Sequence, residues 1–580
     1  MEEITKAQQG RIAIRMIKTT VDALSLRGYY KPSGRSGQTL AEGLRLLRPE
    51  IYGSMNNPRI IELKGLEYVI DRLPRGIEEC TEIVLTAQDT FENTSFEKIE
   101  PPKRRRASYR VSAKEMCFII TRGLSEIYDI ITHITFLNNE AIKIKNQISD
   151  LSGQYTREWG GLEKFVKREN DLNAAELERA IWMLSIILGR TYQETWDTYN
   201  YLEQGRVKNN SNRGLFNIIY SLGKRLEAES QSRDNQLLIY FTPSLKEMIG
   251  HQHCARQWAI HIKDRIFDLN LQKRPLHIIS ANLHSVINVL YGYAALKTTV
   301  RPESSGNIYE FFNELRDKGE QVRNYAVKNG LYELPDQAGA FIDCQLIDTA
   351  LMDAVEPHPE IRIDLKSKDD HRPVILVMDY AFGAQAFEVM DELLKPLLSE
   401  HSGDAAVDDN EAKHDRINLN IQSVSVMGKA GILTGHKGDI MLATAHIIEG
   451  TAHNYIVNNT LQRDDFESSV DVYTGPIVTV LGTSLQNKYV LEKLKRTSWK
   501  AVGLEMEGGH YQRAINAAII RKHIPADVKI SYAYYASDNP LFSDQTLASG
   551  SIGTEGIKST YMITKVILEK VFQSDTFCSD

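Results

Sequence analysis

Two glutamates one residue apart, and an aspartate one strand–helix unit further along, are the side chains of this sequence best placed for chemistry. The run Ala501-Val-Gly-Leu-Glu-Met-Glu-Gly-Gly-His-Tyr511 reads as an apolar strand end, a Gly pair and the start of a helix over Tyr511–Ile520. Alternation along a strand sends residues i and i+2 to one side and i+1 to the other. If the strand continues to Glu507, then Glu505 and Glu507 lie together at its carboxyl end, where open α/β sheets bind ligands. Ile530-Ser-Tyr-Ala-Tyr-Tyr-Ala536 is strand-like in turn, with Ser537 and Asp538 just past its end. Carboxylates gathered at one sheet edge can accept hydrogen bonds from sugar hydroxyls or hold a proton for a leaving base. Residue types alone leave alternatives open. Ser-Asp-Asn-Pro also suits a turn, and Glu505 also suits a structural ion pair.

The elements that must position these acids form an α/β pattern over the last third of the chain. Val374-Ile-Leu-Val-Met378 is a buried-strand run, Asp379-Tyr-Ala-Phe-Gly383 a turn, and Ala384–Leu398 a helix whose N-terminus offers an anion or ribose site. An acidic loop spans 401–415. Ile421–Met427 is the next strand, leading into the loop Gly428-Lys-Ala-Gly-Ile-Leu433 and then Gly438-Asp439. Gly475–Ser484 is a further strand, and a helix over Gly556–Phe572 closes the pattern. Gly-x-Gly-x-x-Gly is absent, so a dinucleotide site is not indicated.

The segment Gly503-Leu-Glu-Met-Glu-Gly-Gly-His-Tyr511 resembles the Gly-Val-Glu-Met-Glu-Ala-Ala segment of purine nucleoside phosphorylases and nucleosidases. Ser537-Asp-Asn-Pro-Leu541 is similar to the Ser-Asp-Lys-Pro-Leu segment of AMP nucleosidases, and the resemblance spans about 373–570. It implies cleavage of an N-glycosidic bond, which builds positive charge on the ribose and negative charge on the departing purine. By resemblance Asp538 is the general acid, a role worth about 10²–10⁴-fold. Glu507 holds the 2′- and 3′-hydroxyls, Met506 packs on the sugar, and Glu505 is a secondary site residue. Gly383, Gly428, Lys429, Ser484 and Ser537 complete the implied substrate contacts. The resemblance also implies a homo-oligomer and a purine nucleoside or nucleotide as ligand, with phosphate as a further candidate; no cofactor is expected, and the sequence indicates no metal site.

Departures from that family pattern carry information. Phosphorylases hold the attacking phosphate with an arginine after the first Gly loop and another before the second, where this chain has Phe387 and Val426. Their absence favours water as nucleophile, with Asp379 as candidate activator, and so a hydrolase; phosphorolysis and a catalytically inactive nucleotide-binding or scaffold protein are the alternatives. Lys429 replaces a small polar residue and can either bind a phosphate or stand solvated.

The preceding ~340 residues show mainly helical periods, near 60–75, 213–228, 245–270, 281–298 and 308–328. Ser112-x-x-Glu115 before Met116-Cys-Phe-Ile-Ile120 matches a capping box, as does Asn173-x-x-Glu176 before a helix that extends towards Leu202 despite Gly189. The expected organisation is an all-α region over 1–340, a linker over 341–372 with an edge strand at Ile361–Leu365, and a three-layer α/β domain over 373–580. Lys103-Arg-Arg-Arg106 reads as a solvated charge run and Arg27–Gly37 as a basic loop. His251, His253 and Cys254 lack metal-ligand spacing. A net charge of −7 argues against nucleic acid. No apolar run is long enough to span a bilayer, there is no signal core, and five scattered cysteines without a CxxC pair fit a reducing cytoplasm.

Overall fold

The computed structural model describes residues 4–47, 49–87, 90–104, 106–149, 154–168, 172–248, 253–297, 307–365, 372–398, 416–542 and 555–573. The acidic loop 401–415, His251, Arg105 and Cys578 lie outside these. Two compact units emerge: Met1–His251 with Leu481–Lys493, and Gln252–Val480 with Leu494–Asp580.

The first unit is not all-α, as its sequence suggested. It holds a six-stranded sheet ordered β1-β6-β2-β5-β4-β3. The strands are β1 (Tyr29–Tyr30), β2 (Glu82–Thr86), β3 (Glu97–Lys98), β4 (Ala107–Arg110), β5 (Glu115–Ile119) and β6 (Leu238–Phe241). β2 runs parallel to both β5 and β6. The capping-box match at Ser112 is a hairpin turn: β4 pairs antiparallel with β5, and the Ser112 N–H donates to the Glu115 carbonyl at 3.3 Å. A five-residue apolar run does not by itself separate strand from helix, and here the turn decides it. At Asn173 the box is real, with reciprocal bonds between Asn173 and Glu176. That helix, Ala174–Leu188, stops at Gly189, whose φ of 63° is left-handed, and Thr191 caps a separate helix, Tyr192–Asn209. Helix Gly123–Ile148 is buried around most of its circumference and threads the apolar core.

The second unit begins well before residue 373. Its strands are β7 (Leu276–Ser280), β8 (Leu331–Leu334), β9 (Cys344–Asp348), β10 (Val374–Met378), the pair β11 (Leu397–Leu398) and β12 (Arg416–Ile417), β13 (Ile421–Ile432), β14 (Ile440–Ile448), β15 (Asn454–Ile456), β16 (Val472–Thr479), β17 (Gly503–Glu505) and β18 (Lys529–Asp538). β9, inside the expected linker, pairs with β10, while Ile361–Leu365 alternates in burial without joining a ladder. The main sheet runs β15-β14-β16-β17-β13-β7-β10-β9-β8, and β18 bridges β13 and β14. Strands β13, β18, β14, β16 and β17 therefore close into a ring, from which β7, β10, β9 and β8 extend as a wing. On β10, Val374, Leu376 and Met378 face one apolar cluster and Ile375 and Val377 another. That alternation covers the wing with helices on both faces, Gln385–Leu394 and Gly508–Ile520 among those on one, Leu283–Leu296 and Glu555–Gln573 among those on the other. Among the described residues, no helix is long and apolar enough to cross a membrane.

Candidate active site

β13 is the axis of the site. The expected Gly loop at Gly428–Leu433 is instead continuous strand, because β13 is paired on both sides there. Gly431 is opposite Leu504 of β17 on one edge and Asp538 of β18 on the other, beside a bulge at Ala430/Gly431. A Cβ on Gly431 would come within 2.9 Å of Leu504 Cδ2 and 3.6 Å of Asp538 Oδ1, so glycine lets both neighbours close in. Asp538 ends β18 and is buried, and its Oδ1 accepts from the Ser537 hydroxyl at 2.8 Å. That hydroxyl also lies 3.2 Å from the Ala430 carbonyl. The turn after the strand is held by Asn539, which donates to the Gly435 carbonyl and accepts from the Leu541 N–H. The turn and site readings of Ser-Asp-Asn-Pro thus fall on different residues.

The glutamates do not share a strand face. β17 ends at Glu505, and Glu507 stands at the N-cap of helix Gly508–Ile520 with φ −121° and ψ −34°. Its Oε1 accepts the Gly383 N–H at 2.8 Å, in the turn after β10, where Gly383 adopts φ 56°. Met378 is level with Ser280 of β7, and Ser280 with Val426 of β13, so this turn rises alongside Gly428. Tyr380 lies 3.5 Å from where a Gly428 Cβ would be.

Glu505 turns inward. Its Oε1 accepts from the Thr479 hydroxyl at 2.5 Å, and its Oε2 accepts the N–H of Glu507 at 2.5 Å and that of Gly508. His446 Nδ1 lies 3.5 Å from Oε1, closer to an ion-pair than a hydrogen-bond distance. Burial pushes the Glu505 carboxyl up, but the His446 ring, the Gly508 N–H and the Thr479 hydroxyl outweigh it and hold the group below its ordinary value. Glu505 is therefore a buried, ionised cap for the helix that carries Glu507.

The remaining sequence candidates are scattered. Met506 is buried beside the acids. Asp379 closes its own turn, accepting the Tyr380 N–H at 2.8 Å. Lys429 is exposed on β13, and Ser484 is buried in the segment that packs with the first unit. Several residues were missed. His446 sits within the apolar strand Ile440–Ile448 and gives no local signal. Arg513 stacks its guanidinium 4.5 Å over the Phe387 ring. Burial pushes Glu388, on the helix after the Gly383 turn, up to about 7. Among the described residues, no group of three His, Cys, Asp or Glu could hold a metal.

The second unit is thus an α/β fold with two acids delivered to the flanks of one strand. The chain belongs to a family of unknown function, DUF6909, whose model matches residues 38–300 and 413–573. No curated protein matches it. Among solved structures it is similar to futalosine hydrolase of Helicobacter pylori, at 12% identity over 52% of this chain and 98% of that one, with a TM-score of 0.30. It is also similar to Helicobacter pylori MTAN, at 13% identity over 52% and 100% with a TM-score of 0.28. A third is uridine phosphorylase from Schistosoma mansoni in complex with thymine, at 10% identity over 52% and 88% with a TM-score of 0.30.

Proposed function

We propose that the second unit hydrolyses the N-glycosidic bond of a purine nucleoside or nucleotide, such as AMP, and releases the free base. The observation that carries this is the pairing of Gly431 with both Leu504 and Asp538, which puts a carboxyl and the Glu505–Glu507 junction on the two flanks of one strand. In this reading Asp538, steadied by the Ser537 hydroxyl, protonates the departing purine. Glu507, oriented by the Gly383 N–H, receives the ribose hydroxyls, and its negative charge supports the positive sugar in the transition state. Met506 packs against the sugar. Phe387 and Val426, in place of phosphate-binding arginines, leave water as the nucleophile. Arg513 over Phe387 favours phosphorolysis as a second reading, because it brings a guanidinium to that position from another helix.

The test is release of purine from AMP and a panel of nucleosides, with and without phosphate. Release in phosphate-free buffer supports hydrolysis. Strict phosphate dependence with a ribose 1-phosphate product moves the assignment to phosphorolysis, and no release under either condition overturns both.

A further inference from the structure

The first unit contains a cluster of buried arginines that the proposed reaction does not use. The run Lys103–Arg106, expected to be solvated, folds inward: Arg106 is fully buried. Its Nη2 donates to Asp129 Oδ2 at 2.7 Å and its Nη1 to the Arg72 carbonyl at 3.2 Å, while Nε lies 3.4 Å from Glu126 Oε1. Arg104 donates from Nε to Asp129 Oδ2 and from Nη2 to Thr483 Oγ1, both at 3.2 Å. Arg122, just before helix Gly123–Ile148, donates to Glu126 Oε1 at 3.1 Å. Lys103 is balanced by Asp71 at 2.6 Å.

Arg72 is different. Its guanidinium lies over the Tyr68 ring at 3.4 Å and donates to the Tyr68 carbonyl at 2.7 Å, and no carboxylate among the described residues is within ion-pair distance of it. Among the described contacts, four arginines and the half-exposed Lys103 meet three carboxylates, and Arg72 is the arginine with no carboxylate at ion-pair distance. A buried surplus of positive charge is unfavourable until an anion completes it.

A second, independent observation marks the same place. His133 is fully buried one turn beyond Asp129, with Nε2 3.6 Å from Asp129 Oδ1, and neither ring nitrogen makes a hydrogen bond. The Tyr68 and Thr121 hydroxyls and the Nε atoms of Arg72 and Arg106 are also buried without hydrogen-bond partners. Thr121 and Arg122 follow β5 at the carboxyl edge of its parallel pairing with β2, at the N-terminus of a 26-residue helix. Arg72 is half-buried and the Arg104 side chain 15% exposed, so these two face solvent.

We propose that this arginine cluster binds a small dianion carrying a phosphoryl group, with Arg72 as its principal ion-pair partner. The cluster belongs to the first unit, and the proposal does not rest on the glycosidic reading.

The probe is inorganic phosphate, titrated calorimetrically into the full chain against chloride at matched ionic strength. Wild type is expected to bind one equivalent saturably. Arg72→Gln removes a charge-assisted bond and weakens binding by about tenfold or more. It leaves Asp129 and Glu126 with their arginines, so folding is retained. Should that variant unfold, Arg72→Lys keeps the charge, loses the forked geometry and is also expected to bind more weakly. Lys328→Gln, at an exposed position of the second unit, is expected to bind as wild type. Absence of saturable binding in wild type, binding unchanged in both Arg72 variants, or binding lost in Lys328→Gln would overturn the proposal.

Discussion

Glu505→Gln and Glu507→Gln separate what the two glutamates do. Glu505 accepts from the Thr479 hydroxyl and from the N–H groups of Glu507 and Gly508. A hydrogen bond to a charged acceptor contributes about 1.5–3 kcal/mol, and a neutral one about 0.5–1.5 kcal/mol. Neutralising the acceptor of three bonds therefore costs about 3 kcal/mol, and turning an amide NH2 towards one of those donors adds about 1 kcal/mol more. At roughly 2–3 °C per kcal/mol for a unit of this size, Glu505→Gln is expected to melt about 10 °C below wild type. Glu507→Gln keeps an oxygen for the Gly383 N–H, so its melting temperature should stay within about 2 °C, while its rate falls by about 10²–10³-fold. The native Glu505 pKa is depressed, so its stabilisation is fully present above the unfolded value of about 4.3 and is lost as pH falls through the native value. The gap between wild type and Glu505→Gln should accordingly narrow below about pH 4. Thermal denaturation at several pH values, beside the purine-release assay, reads all of this. If Glu505→Gln melts with wild type while Glu507→Gln melts early, the assignment of cap and substrate contact is reversed.

Asp538→Asn retains an acceptor for the Ser537 hydroxyl, so it should fold normally and lose about 10²–10⁴-fold in turnover; wild-type rates would remove Asp538 from the acid role. Gly508→Ala should destabilise the second unit by about 3 kcal/mol, because the new Cβ overlaps the His446 ring and the Tyr534 hydroxyl; denaturant unfolding would show an unchanged midpoint if that packing is not tight. Burial raises the Glu449 carboxyl to about 8, and neither of its oxygens makes a hydrogen bond. A raised acid pKa means stability is full below the unfolded value of about 4.3 and is lost as pH rises towards 8. Glu449→Gln should therefore match wild type near pH 4 and be more stable by about 1.4 kcal/mol for each pH unit above that, levelling near pH 8; parallel curves across this range would contradict it.

The C-terminal strands were legible because short apolar runs such as Val374–Met378 mark them, and the acids come at or just after the ends of such strands. The strands of the first unit were not. Met116–Ile119 looks like a helix start, and only the hairpin to Ala107–Arg110 makes it a strand. The start of the second unit was hidden for a related reason. β7 finds its partners in β10 and β13, far along the chain, and no local periodicity reports such pairing. The continuous β13 was misread because Gly428 and Gly431 signal a loop locally, whereas strands on both sides hold them extended. Charge runs mislead in the same way, since Arg106 is buried by Asp129, which lies on a separate helix.

The two glutamates are chemically identical, and their surroundings divide the work. Keeping Glu505 ionised in the interior requires donors, and the first amides of helix Gly508–Ile520 supply two of them. Those same bonds fix the backbone at Glu507 in a non-helical cap conformation and so direct its side chain to the Gly383 turn. The arrangement needs glycine at 508, because His446 and Tyr534 occupy the space a methyl group would take. On the other flank of β13, glycine at 431 admits Leu504 and Asp538 together. A change at either glycine should therefore shift a neighbouring acid without altering its chemistry, which separates this cause from a direct catalytic role. Gly431→Ala is expected to lower turnover by displacing Asp538 and Leu504 while the acid itself remains, whereas Asp538→Asn removes the acid and loses about 10²–10⁴-fold.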